Sequence, residues 1–137
     1  DIWSAANATH QGNLVPLIKM LKGWNRQNGA LLRSFHLEAV ILGILNNVTI
    51  NDFSSGARFV FDKARQTVRN ATYDPCSYGG NLADYLNTQQ KINDVVSRLE
   101  SAYNRAVEAD SLDKLGKTSQ AVDKWRLIFG DYFPAYG

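Results

Sequence analysis

The chain has 137 residues and a mass near 15.3 kDa, with 45% hydrophobic residues, 15 Lys plus Arg and 13 Asp plus Glu. That is one domain's worth of protein with enough apolar mass to offset the entropy of ordering, so disorder is excluded as the main state. A net charge of +2 is too balanced to announce nucleic acid or membrane binding by bulk charge alone.

Leu14, Leu17, Ile18, Leu21 and Trp24 fall at helical spacing, with Asn13 as N-cap and Pro16 in the first turn, where a missing N–H costs little. Asn28-Gly29 closes this helix. Residues 35–46 are apolar on nearly every side, which predicts a helix in the middle of a bundle. Asn51 or Asp52 opens a third helix to about Asn70. Phe53, Ala57, Val60, Phe61, Ala64 and Val68 line one side of it, and Arg58, Asp62, Arg65 and Arg69 the other. Residues 72–82 hold a proline and a Gly-Gly pair and read as the long loop. A fourth helix of about 20 residues carries Ile92, Val95, Val96, Leu99, Ala102, Tyr103, Ala106 and Val107 in register. The last helix carries Ala121, Val122, Trp125, Ile128 and Phe129, ends at Gly130, and leaves a tail over residues 131–137. The expected architecture is all-α, a bundle of about five helices in one domain spanning residues 1–137.

Chemistry is sparse in this pattern. The lone Cys76 excludes an internal disulfide and points to a reducing, cytoplasmic setting. The longest apolar run, Ala39 to Leu45, is far too short to span a bilayer, so no membrane partner is expected. No signal peptide pattern opens the chain, and the missing initiating Met is what a fragment or processed product would show. His10, His36 and Cys76 lie far apart without ligand spacing, so no metal site is expected within the chain. There is no nucleophile elbow and no phosphate-binding Gly loop. Glu108 and Asp110 have the i,i+2 spacing that shares a face on a strand; on a helix they diverge, so they read as solvated charges at a helix end. No catalytic residue is expected.

Three polar spots remain among the core positions. Lys19 and Lys22 sit one helical turn apart. Ser34-Phe35-His36 opens the second helix, where free N–H groups and the helix dipole favour an anion. On residue types alone, Ser34 reads equally as an N-cap, the lysines as solvated charges and Phe35 as core. The third spot, Asp74 to Asn81, reads as a structured turn.

Four stretches in order alter that balance. They are the Leu14 to Asn25 helix ending Lys-Gly-Trp-Asn, then Ser34-Phe35-His36-Leu37-Glu38, then Asp74-Pro75 leading to Gly79-Gly80-Asn81. The closing run is Trp125-Arg126 through Ile128-Phe129-Gly130-Asp131 to Phe133-Pro134. Together they resemble the C-terminal helical domain of the oligoadenylate synthetase and cyclic GMP-AMP synthase superfamily. The branch most similar is the bacterial CD-NTases, which make nucleotide second messengers in antiphage (CBASS) defence. The resemblance implies a helical domain that clamps NTP substrates such as ATP beside a palm domain of the same parent protein. The palm would carry the catalytic carboxylates and Mg²⁺, and this chain alone would not catalyse. It implies triphosphate contacts from Lys22 and Ser34, a second, less supported contact from Lys19, and base stacking by Phe35, which here replaces the usual Tyr. His36 and Glu38 are expected to be structural, a polar pair satisfied internally. Asp74 and Asn81 are expected to satisfy backbone groups, although Tyr78 stands where the synthetases have a second Pro. The terminal Gly137 resembles a conjugation site for a ubiquitin-activating-like enzyme. Two other readings stay open. One is an RNA- or nucleotide-binding helical domain of a poly(A)-polymerase-like or tRNA nucleotidyltransferase, for which Arg58, Arg65 and Arg69 form part of a basic stripe. The other is a helical protein-interaction module.

Overall fold

A computed structural model describes residues 14–46, 48–50, 52–70 and 81–130. Five helices follow in order: α1 (Leu14–Gln27), α2 (Ser34–Ile44), α3 (Phe53–Thr67), α4 (Gln89–Lys114) and α5 (Thr118–Phe129). The described residues contain no β-strand. The fold is an all-α bundle, as the periodicity predicts.

Each helix forms where a stripe of apolar side chains can be buried. Leu14, Leu17, Ile18, Leu21 and Trp24 of α1 are all buried, each of the larger ones contributing about 1.5–3 kcal/mol. Trp24 meets Phe61 of α3 edge to face, with ring centroids 5.3 Å apart. Phe61 also lies 6.0 Å from Phe129 of α5, so three helices converge on one aromatic centre.

The helix starts are capped by side chains where the sequence supplies them. The Asp52 carboxylate accepts from the Ser55 N–H at 2.8 Å, which settles the choice between Asn51 and Asp52. The Thr88 hydroxyl accepts from the Lys91 N–H at 3.2 Å. Gly130 ends α5 at φ 59°, ψ −134°, a conformation that favours glycine.

Three expectations about these elements are corrected. α4 runs to Lys114, 26 residues, because no breaker intervenes before Gly116 and buried Ala109 keeps the core register. On it, Val107 faces outward rather than into the core. α2, although apolar nearly all round, flanks the bundle instead of occupying its middle. It packs chiefly on α3 and α1, and its Phe35 and Gly43 are exposed. The more central places belong to α1, against α2, α3 and α5, and to α3, against α1, α2 and α4.

Candidate functional site

The junction of α1 and α2 is built by one buried amide. Asn25, 5% exposed, donates from Nδ2 to the Leu32 carbonyl at 2.6 Å. Its Oδ1 accepts from the Leu32 N–H at 3.2 Å, and its own carbonyl accepts from the Ala30 N–H at 2.7 Å. Gly29 (φ 91°) and Ala30 (φ 52°) turn the chain between them. This clamp fixes where α2 starts relative to α1. Buried backbone groups need such partners, and here one side chain satisfies both groups of Leu32.

Across the junction the Lys22 ammonium contacts the Glu38 carboxylate, with the two side chains 28% and 19% exposed. Ser34 precedes Glu38 by four residues and therefore shares its face of α2. Lys22 and Ser34 are thus brought to one side of the bundle, neither on opposite flanks nor sealed inside it. Ser34 itself is exposed. It is the first helical residue and not the N-cap: Arg33 holds that position, and no side-chain cap bond forms. Phe35 is 44% exposed, so its core reading is set aside. Lys19 is exposed and makes no ion pair among the described residues.

His36 faces the other way. It is buried, its Nδ1 lies 2.6 Å from the Tyr85 hydroxyl, and the two rings meet edge to face at 5.4 Å. The Tyr85 hydroxyl also accepts from the Arg33 N–H at 2.9 Å. The arrangement that uses the hydroxyl hydrogen donates it to Nδ1 and leaves the imidazole hydrogen on Nε2. Nε2 is buried and has no partner among the described residues. Burial lowers the His36 pKa to about 4, and burial likewise raises that of Tyr85. His36 and Glu38 do not meet each other: Glu38 pairs with Lys22, and His36 is satisfied at Nδ1 but not at Nε2, which corrects the expectation of a polar pair satisfied internally.

The basic stripe is neutralised at Arg58 and Arg65 but not at Arg69, which lies past the end of α3, donates to the Arg65 carbonyl at 3.2 Å and makes no ion pair among the described residues. Arg58 pairs with Asp110 of α4, and Arg65 pairs with Asp62 while stacking 4.6 Å from the Tyr103 ring. Glu108 pairs with Lys124 of α5 at 2.8 Å. Glu108 and Asp110 lie in the last two turns of α4 and diverge as helical geometry requires; Glu108 is exposed as expected, whereas Asp110 is half-buried against Arg58 rather than solvated. A cavity of about 400 Å³ opens between Leu45, Ile50, Phe59, Asp62 and Tyr103, and its Arg58 and Asp62 are already paired. Among the described residues no three His, Cys, Asp or Glu side chains gather as a metal ion would require.

Several expected features fall outside the described residues: Asn13, His10, Cys76, the turn from Asp74 to Gly80, and the tail with Gly137. Asn81 is described, and its side chain accepts from the Ala83 N–H at 3.0 Å, the backbone role expected of it. No described helix is long and apolar enough to cross a membrane.

What the fold and junction define, among the described residues, is an all-helical bundle that brings a lysine of α1 together with a serine and an exposed phenylalanine at the start of α2. The chain is 29% identical over 133 residues to a Bacillus cereus (strain VD146) protein named a probable cyclic nucleotide synthase. The match covers 95% of this chain and 39% of that protein, so the chain spans about two-fifths of its relative's length. No family model matches the chain.

Asn25, Arg33 and Tyr85 were not singled out by their sequence. Asn25 stands inside the Lys-Gly-Trp-Asn run, but only its burial reveals a clamp. Tyr85 meets α2 across about fifty residues of chain, which no local pattern reports.

Proposed function

We propose that this chain, residues 1–137 with the tail 131–137, is the C-terminal, nucleotide-clamping domain of a nucleotidyltransferase. That enzyme joins NTPs into a cyclic or linear oligonucleotide second messenger in antiphage (CBASS) signalling, in the cytoplasm. In this reading Lys22 and Ser34 offset the charge of a triphosphate, Phe35 stacks on the base, and Lys19 supplies a further cation. The chain's own work is binding and orientation, which alone lowers a barrier by fixing the reacting geometry. The palm domain of the parent protein supplies the chemistry. The tail reading, conjugation at Gly137 by a ubiquitin-activating-like enzyme, is supported by sequence alone.

The observation that carries the proposal is the placement of Lys22 and Ser34 on one exposed edge of α1 and α2. It occurs in a chain whose relative is named for cyclic nucleotide synthesis. The pairing of Arg58 and Arg65 with carboxylates favours it over an RNA-gripping stripe. The test uses the full-length protein with the four NTPs and Mg²⁺, its products read by mass spectrometry. Lys22→Ala and Ser34→Ala are expected to raise the KM for NTP by about tenfold or more. Absence of any oligonucleotide product together with absence of NTP binding would overturn the reading.

A further inference from the structure

Lys22 is a compensated cation, because Glu38 contacts it. The guanidinium of Arg33 is different. Arg33 is exposed, and no carboxylate pairs with it among the described residues. It lies over the Tyr85 ring, 4.7 Å from the centroid. The same residue's N–H is bonded to the Tyr85 hydroxyl, which in turn contacts buried His36. A continuous support therefore runs from the core to an exposed, unpaired guanidinium directly beside Ser34.

We propose that Arg33 is an anion-binding residue of the α1–α2 junction, offering a bidentate contact to the phosphate groups of a nucleotide. The inference rests on the nucleotide-clamping reading and adds to it, besides Lys19, a cation that no carboxylate neutralises among the described residues and that an aromatic ring holds in place. Stacking on Tyr85 occupies a face of the guanidinium and leaves its N–H edge open. That edge matches two phosphate oxygens, which an ammonium cannot do. A side chain already held by its stack also loses less freedom on binding.

The full-length protein is titrated with inorganic tripolyphosphate and with ATP at low and at physiological salt. Arg33→Ala is expected to weaken both by about tenfold at low salt and to make binding less sensitive to salt, with the melting temperature unchanged. If Arg33→Ala binds both anions as tightly as the wild type while Lys22→Ala or Ser34→Ala weakens them, the Arg33 assignment falls and the clamping reading stands. If the wild type binds neither anion, the clamping reading itself falls, and the assignment with it. Should Arg33→Ala melt early, Arg33→Gln carries the test, because it keeps a planar group over Tyr85 and removes the charge. Retained affinity in that variant overturns the assignment, and lost affinity upholds it.

Discussion

His36 shows how a single buried side chain couples the bundle to pH. Its folded-state pKa is about 4, against 6.5 for the free side chain, so folding favours the neutral imidazole. The unfolded chain takes up a proton near pH 6.5, and the folded chain does so only near pH 4. The stability contributed by this group is complete above pH 6.5 and is lost as pH falls toward 4. The loss amounts to about 3 kcal/mol over that window. Urea melts at pH 7, 5.5 and 4 are expected to show it, and His36→Gln is expected to flatten the slope even if it lowers stability throughout. An unchanged slope in the variant would refute this account. Asn25 makes a second prediction at the same scale. Asn25→Ala leaves the Leu32 N–H and carbonyl without their partner, at a cost of about 2 kcal/mol, readable as a fall in melting temperature.

At the scale of elements, the helices were legible wherever burial and period agreed. α1, α3 and α5 carry their apolar residues at i, i+3 and i+4, and those residues are the buried ones except Phe53 and Val122, which are half-buried. α2 was harder. A helix apolar on all sides gives no phase, so composition pointed to the centre while packing left one edge open at Phe35. The end of α4 is hard to read because its last turns are polar, and only the absence of a breaker before Gly116 carries the helix on to Lys114. Two caps test the local logic. Asp52→Ala is expected to cost about 1 kcal/mol, because the Ser55 N–H loses its acceptor. Gly130→Ala is expected to cost about 1–2 kcal/mol, since its φ of 59° with ψ −134° strains any L side chain and the added Cβ would overlap the Gln27 amide. Chemical denaturation checks both, and an unchanged midpoint in either would remove the corresponding argument.

Across the whole molecule, residue types named the chemistry of the junction, but the fold had to say how it is arranged. The Ser-Phe-His-Leu-Glu run announced a polar helix start. It did not reveal that Glu38 turns to Lys22 on α1 while His36 turns to Tyr85. These are long-range contacts, set by how α1 and residues 81–88 pack on either side of α2, and no spacing within one helix encodes them. The same holds for the arginines of α3, whose charge seemed available until α4 and the helix itself supplied carboxylates.

The Lys22 to Glu38 contact changes what kind of event anion capture at this lysine would be. An incoming oxyanion does not meet a bare ammonium in water; it must take the place of a carboxylate already there, one negative group traded for another. Such a swap discriminates against weakly charged anions, because a single charge gains little over the resident one. Glu38→Gln removes the incumbent, and the expected outcome is a lysine that accepts monophosphate and sulfate nearly as readily as triphosphate, measurable by competition titration.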